Sequence, residues 1–153
     1  MAVFYFDTSG IVKRYVREIG TSWVQNTADP LAGNLVYLAR ISSEVTSAVI
    51  RRQLGGSLSS AKAAAILFQF RHDMVAEYRI IEITPGVLST AEVLAEAHGL
   101  RAYDAVQLAA AVELTTQRVA NGLPPVTMVS ADQELNAAAA AVGLQVEDPN
   151  QHP

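Results

Sequence analysis

The chain contains no cysteine, which excludes disulfides, thiolate metal sites and thiol nucleophiles. It also has no apolar run long enough to cross a membrane, and the run that precedes Asp7 is too short for the core of a signal peptide. Lysine is scarce, with only Lys13 and Lys62. We therefore expect a soluble, cytoplasmic protein that does not associate with membranes.

Hydrophobic residues make up 50% of the 153 residues, enough to form one ordinary core and too many for a disordered chain. Charge is unevenly distributed along the sequence. Residues 1–79 hold nine Lys/Arg and six Asp/Glu, whereas residues 80–153 hold two and nine. The net charge of -4 therefore leaves room for a basic surface on the first half, although two ordinary solvated faces explain the same numbers.

Short apolar runs alternate with helical patterns along the whole chain, which predicts a parallel sheet covered by helices on both faces. We expect a single domain over residues 1–148, followed by a short polar tail over 149–153. The predicted strands are 3–6, 35–38, 80–83, 126–129 and 144–146. The predicted helices are 8–19, 21–28, 42–53, 59–78, 85–98, 102–121 and 130–142.

Four carboxylates, those of Asp7, Glu44, Asp104 and Asp132, follow strands or begin helices. Because strand ends and helix starts meet at one edge of a parallel sheet, we expect the four to share a crevice. Each also has an ordinary explanation, since Asp and Glu stabilise helix N-termini. Asp104 is the hardest to explain in that way, because its helical spacing places it on an apolar face, where a carboxylate needs Arg101 or a cation.

A cluster of four carboxylates persists most easily around a hard divalent cation, and oxygen ligands favour Mg²⁺ or Mn²⁺. Such a site supports hydrolysis of a phosphodiester by metal-activated water. Thr8, Ser9 and Ser130 lie beside these acids. Their hydroxyls either support the site or only form local turn and cap hydrogen bonds.

Four sequence blocks carry a resemblance to a known family. They are Phe-Asp-Thr-Ser-Gly at 6–10, Ser-Ser-Glu-Val at 42–45, Gly-Leu-Arg-Ala-Tyr-Asp-Ala-Val-Gln-Leu-Ala at 99–109 and Ser-Ala-Asp-Gln-Glu-Leu at 130–135. Together they resemble the PIN-domain family, and within it the VapC-type ribonuclease toxins of type II toxin–antitoxin systems. The resemblance spans almost the whole chain, and the block around Asp104 is its most specific part.

The resemblance implies a three-layer α/β/α sandwich around a five-stranded parallel sheet in the order 3-2-1-4-5. It also implies a Mg²⁺- or Mn²⁺-dependent endoribonuclease, an RNA substrate, a homodimer and a VapB-like antitoxin partner. Asp7, Glu44, Asp104 and Asp132 match the four acidic positions of the family, and Ser9 and Ser130 match its hydroxyl positions. Gln107 departs from the pattern, because many relatives have histidine at this position.

Other functions remain open from the sequence. A receiver-like module that accepts a phosphoryl group on an aspartate also gathers acids at a sheet edge, but it needs a well-placed lysine. A catalytically silent RNA- or protein-binding module and a nuclease acting on DNA ends are further alternatives. A haloacid-dehalogenase-like phosphatase is less well matched, because Ser9 stands where its second aspartate would lie.

Five basic residues are candidates for contacts with a nucleic-acid backbone, although exposed solubilising charge is the favoured explanation for any one of them. They are Lys13, Arg14, Arg51, Arg52 and Arg101. The single tryptophan, Trp23, either lines a partner groove or simply packs. The alanine-rich helices predicted at 59–78 and 85–98 offer either a dimer surface or core packing.

Overall fold

A five-stranded parallel sheet forms the centre of the computed structural model, which describes residues 1–153. The strand order is β3-β2-β1-β4-β5, as the sequence resemblance implies. The strands are β1 (Val3–Phe6), β2 (Leu35–Ala39), β3 (Arg79–Ile81), β4 (Thr127–Val129) and β5 (Gln145–Glu147). Tyr5 of β1 lies between Tyr37 of β2 and Met128 of β4, so β1 is the central strand.

Seven α-helices connect and cover the strands. They are α1 (Thr8–Ile11), α2 (Thr21–Ala28), α3 (Ser42–Leu54), α4 (Ser60–Ala76), α5 (Pro85–His98), α6 (Ala102–Ala120) and α7 (Gln133–Ala141). Side-chain caps begin two of these helices: Ser59 accepts a hydrogen bond from the Lys62 amide and Thr84 accepts one from the Val87 amide. Strand and helix ends mostly agree with the predictions to within one or two residues.

The predicted helix over 8–19 is wrong in its second half. The α-helix ends at Ile11 and continues only as a 3-10 turn, Val12–Arg14. Local polar contacts stabilise the turned chain that follows: Lys13 Nζ donates to the Ile19 carbonyl at 3.0 Å, and the Thr21 hydroxyl bonds both the Glu18 amide and the Val16 carbonyl. Ile19, which would have extended the apolar face of the helix, is 62% exposed.

The two faces of the sheet pack against different helices. Val3 and Tyr5 of β1 point into a core formed with α5, α6 and α7, whereas Phe6 points into a second core formed with α1, α2, α3 and α4. This alternation follows from the two-residue period of a strand. Because β1 is covered on both faces, its apolar run is continuous, as expected for a parallel sheet.

The last residues pack against the domain. Pro149–Gln151 form a 3-10 turn with Pro149 buried, and the ring of His152 stacks on Trp23 with centroids 4.5 Å apart. Trp23 also meets the edge of Phe4. The tryptophan is therefore packed within the chain, in agreement with the simpler of its two interpretations. No helix has the length and apolar character needed to span a bilayer.

Candidate active site

Asp7 is the most buried of the four acids, with 4% of its surface exposed. It follows β1 directly and caps α1, because its Oδ1 accepts a hydrogen bond from the Gly10 amide at 2.9 Å. The turn is tight: a Cβ on Gly10 would lie 2.7 Å from the Val129 carbonyl oxygen. Asp7 forms no ion pair, and burial raises the pKa of its carboxyl group from 3.8 to about 7.

Ser9 connects Asp7 to the loop between β4 and α7. Its hydroxyl donates to the Asp7 carboxylate at 2.9 Å and accepts from the Ala131 amide at 2.9 Å. The buried Ser130 hydroxyl lies 3.3 Å from Ser9 Oγ and accepts from the Asp132 amide at 3.1 Å. The two serines thus hold the acid that follows β1 and the acid that follows β4 in one hydrogen-bonded unit.

Glu44 lies in the first turn of α3 and does not act as a helix cap. Its Oε2 accepts hydrogen bonds from the Thr8 hydroxyl at 3.2 Å and from Gln107 Nε2 at 2.6 Å. Burial raises the pKa of Glu44, these two hydrogen bonds lower it, and the charge of Asp104 adds a smaller increase. Like Asp7, Glu44 has no basic partner.

Asp104 lies in the first turn of α6, above the buried Leu108 and Ala111. Burial raises its pKa, the negative charge of Asp132 raises it further, and Arg101 lowers it. The Arg101 Nε to Asp104 Oδ2 distance is 3.7 Å, and the Arg101 side chain is 78% exposed, so this surface pair is weak. The expected partner of Asp104 is therefore present but does not neutralise it strongly.

Asp132 caps α7, with Oδ1 accepting from the Glu134 amide at 2.9 Å and the Leu135 amide at 3.0 Å. The capping interpretation of this residue is thus confirmed. A cap uses one carboxylate oxygen, and Oδ2 of Asp132 has no hydrogen bond within the chain. Capping and a role in a site are therefore compatible here.

The four carboxylates lie along the same edge of the sheet, yet no three acidic or histidine side chains are close enough together to hold one metal ion. Hydrogen bonds from the chain itself hold the carboxylates of Asp7, Glu44 and Asp132, whereas Asp104 has only its weak contact with Arg101. The donor set nevertheless fits a hard divalent cation, because Asp7 is a buried carboxylate without a basic partner and the three other acids at the edge offer carboxylate oxygens,. The assignment of the four acids as metal ligands stays a prediction.

An open cleft of about 560 Å³ lies between the beginnings of α3 and α6. Both Glu44 and Asp104 face it, and so do the exposed residues Arg51, Arg101 and Tyr103. The Tyr103 ring is 58% exposed. The complete lining is Thr8, Ser43, Glu44, Ser47, Ala48, Arg51, Arg101, Ala102, Tyr103 and Asp104.

Three of the basic candidates are occupied by contacts inside the chain. Lys13 is buried, and its ammonium lies 3.4 Å from a Glu18 carboxylate oxygen. Arg14 pairs with Glu77 at 2.6 Å, and Arg52 donates to Glu18 and to the Ala48 carbonyl. These side chains stabilise the fold, which leaves Arg51 and Arg101 as the candidates that line the cleft.

Sequence reasoning did not assign a role to Tyr5 or Gln107. The Tyr5 hydroxyl donates to Gln107 Oε1 at 2.6 Å, and Gln107 in turn donates to Glu44. A signal was present, because Gln107 is a polar residue on the buried face of α6, three residues after Asp104. Its partners lie 102 and 63 residues away in the sequence, and only the fold identifies them.

A five-stranded parallel α/β/α sandwich with carboxylates along one edge defines the chain as a PIN-like protein. No family model matches it. Among curated proteins it is 31% identical over 150 residues to Ribonuclease VapC45 of Mycobacterium tuberculosis strain CDC 1551 and to Ribonuclease VapC49 of strain H37Rv. The alignment covers 95% of this chain and 95% of each relative. The chain belongs to the VapC ribonuclease family.

Solved structures agree with this fold. PAE2754 from Pyrobaculum aerophilum superposes with a TM-score of 0.62 at 18% identity, covering 99% of this chain and 94% of that one. VapBC2 from Rickettsia felis, bound to a DNA fragment from its promoter, superposes with a TM-score of 0.59 at 16% identity, covering 95% and 98%. At these identities the likeness establishes the architecture.

Proposed function

We propose that the chain is the toxin of a type II toxin–antitoxin pair and acts in the cytoplasm as a divalent-metal-dependent endoribonuclease. The observation that carries the proposal is the edge of the sheet, where Asp7 is buried without a cationic partner beside three further carboxylates, in a chain of the VapC ribonuclease family. Burying an unpaired carboxylate is costly, and a bound cation removes that cost. A bound metal ion would therefore stabilise the buried, unpaired carboxylate in the folded protein.

Mg²⁺ or Mn²⁺ would be held by Asp7, Glu44, Asp104 and Asp132. When bound, the ion would lower the pKa of a water molecule and stabilise negative charge on the phosphate. Ser9 and Ser130 would keep the Asp7 carboxylate in one orientation, since Ser9 donates to it and is itself held by the Ala131 amide. Thr8 would do the same for Glu44.

The cleft beside these acids suits a single strand of RNA. Arg51 and Arg101 place two positive charges along it, where they would contact phosphates,. In the same cleft, the exposed ring of Tyr103 offers a surface on which an unpaired base can stack,. A base that stacks there has left its helix, so the proposed substrate is a loop or another single-stranded segment.

A VapB-like antitoxin is the proposed partner. The support is the likeness in fold to VapBC2 from Rickettsia felis, which was solved as a complex on promoter DNA.

Homodimerisation belongs to the same proposal. Large apolar side chains are exposed on the outer helices, including Phe68 at 74% and Val75 at 89% on α4 and Val93 at 66% on α5.

A receiver-like role finds less support in the site. Such a module needs a lysine near the phosphoryl acceptor, but Lys13 binds Glu18 and the Ile19 carbonyl. Lys62, the other lysine, is an exposed residue of α4. Neither lysine lines the cleft in which Glu44 and Asp104 lie.

The test is cleavage of total RNA by the purified protein with and without Mn²⁺, with the 5′ ends of the products mapped. Asp104→Asn is expected to lower cleavage by more than about 100-fold, because loss of a direct ligand should exceed the 10–100-fold cost of losing an outer hydrogen bond. Glu92→Gln, an equivalent change on the exposed side of α5, is the matched control. Undiminished cleavage by a folded D104N variant would refute the assignment.

A further inference from the structure

We propose that Gln107, held by Tyr5, is a positioning residue that fixes the Glu44 carboxylate and directs its free oxygen towards the metal. The inference rests on the proposed function, because it assumes that Glu44 is a ligand. It assigns a role to Gln107, a buried polar residue of α6. It also explains why a tyrosine hydroxyl is buried at the centre of the sheet.

The direction of the hydrogen bonds in this chain of residues is determined by chemistry. An ionised carboxylate only accepts hydrogen bonds, so Gln107 must turn its NH₂ group towards Glu44, where Nε2 donates to Oε2 at 2.6 Å. The amide then presents Oε1 on its other side, where it accepts from the Tyr5 hydroxyl at 2.6 Å. By donating to Oε1, Tyr5 stabilises the amide in the orientation that the carboxylate of Glu44 requires.

Only one of the two carboxylate oxygens of Glu44 accepts hydrogen bonds within the chain. Oε2 accepts from both Gln107 and Thr8, and Gln107 Nε2 also lies 3.5 Å from the Thr8 hydroxyl. Oε1 has no hydrogen bond within the chain, and Glu44 borders the open cleft. One oxygen is thus held while the other is left for a ligand, which is the arrangement that outer hydrogen-bond partners give to metal-binding carboxylates.

Burial makes the arrangement rigid. Tyr5 is fully buried and Gln107 is 4% exposed, so water does not compete for their hydrogen bonds. Gln107 shares the inner face of α6 with Leu108 and Ala111, both fully buried, which fixes the backbone from which the amide projects. The hydrogen-bonded series Tyr5–Gln107–Glu44, called the relay below, therefore fixes the Glu44 side chain on α3 relative to the central strand β1.

The test compares the Mn²⁺ affinity of the wild type with that of two Gln107 variants. Affinity is measured calorimetrically on chelator-treated protein at neutral pH. Gln107→Met keeps the size of the side chain and removes both hydrogen bonds, and it is expected to weaken Mn²⁺ binding about 10–100-fold. Gln107→His is expected to stay within about threefold of the wild type, because a neutral imidazole has one acceptor and one donor nitrogen. Equal Mn²⁺ affinity of folded Q107M and wild type would overturn the proposal.

A double-mutant cycle separates positioning from ordinary packing. Tyr5→Phe should weaken Mn²⁺ binding when Gln107 is present and should have no effect in the Q107M background. A Y5F effect of the same size in both backgrounds would show that Tyr5 acts on the fold and would overturn the relay. If Q107M fails to fold, Y5F alone decides: unchanged Mn²⁺ affinity in that variant also refutes the inference.

Measuring Mn²⁺ affinity separately from RNA cleavage distinguishes this inference from the proposed function. A wild type that binds Mn²⁺ but cleaves no RNA refutes the ribonuclease assignment, and the affinity comparison still decides the role of Gln107. A wild type that cleaves RNA while Q107M binds Mn²⁺ normally refutes only the inference. Failure of the wild type to bind Mn²⁺ at millimolar concentration overturns both.

Discussion

Replacing Asp7 with asparagine is expected to stabilise the metal-free protein at pH 8 and to change its stability little near pH 4. Asparagine caps helices as well as aspartate does. Its Oδ1 can still accept from the Gly10 amide, and its Nδ2 can donate to the Ser9 hydroxyl, which now contacts the carboxylate. The substitution therefore removes the buried charge and keeps the local hydrogen bonds.

The direction of this stability change follows from the pH at which the folded and the unfolded state each lose the Asp7 carboxyl proton. In the unfolded chain the carboxyl group ionises around its ordinary pKa of 3.8, whereas burial raises the folded pKa to about 7. Between these values the folded state holds the extra proton, so the free energy of unfolding falls as pH rises. At about 1.4 kcal/mol per pH unit, the free energy of unfolding falls by about 4 kcal/mol in total between the two pKa values, and this loss is nearly complete above pH 7.

Urea unfolding followed by circular dichroism, in buffer with a chelator, measures this difference at pH 4 and pH 8. The gain of D7N over the wild type should be close to zero at pH 4 and approach about 4 kcal/mol at pH 8. Asp29→Asn changes another aspartate cap, which is exposed, and serves as the control. A D7N gain that is absent at pH 8, or equal at both pH values, would refute the reasoning.

The remaining predictions concern RNA binding, measured by fluorescence anisotropy in a chelating buffer that prevents cleavage. Arg51→Ala and Arg101→Ala should each weaken binding similarly for all sequences and reduce the slope of log K against log salt by about 0.7. Arg71→Ala, on the exposed side of α4, should leave both unchanged, and an equal loss in this variant would contradict a role for the cleft. Tyr103→Ala should lower the affinity by about 1–3 kcal/mol, the range for loss of one stacked base. Tyr103→Phe should retain the affinity; a loss there would show that the hydroxyl, and not the ring, is important.

The sequence determined the architecture because its signals are local and repeated. The apolar run of β1 predicts a strand covered on both faces, and caps such as Ser59 and Thr84 predict helix starts to within one residue. The order of strands came from the family resemblance. The same local signals are wrong for the segment after Ile11, because apolar spacing does not show where hydrogen bonds of Lys13 and Thr21 redirect the backbone.

The sequence also placed the four acids at one edge, since parallel strands end on the same side of a sheet. Only the tertiary structure decided their environments. It shows that Asp7 is buried without a basic partner, that Arg14 is committed to Glu77, and that Arg51 lines the cleft. It alone joins Tyr5 through Gln107 to Glu44, because a hydrogen bond depends on positions in space that residues far apart in the chain acquire only on folding.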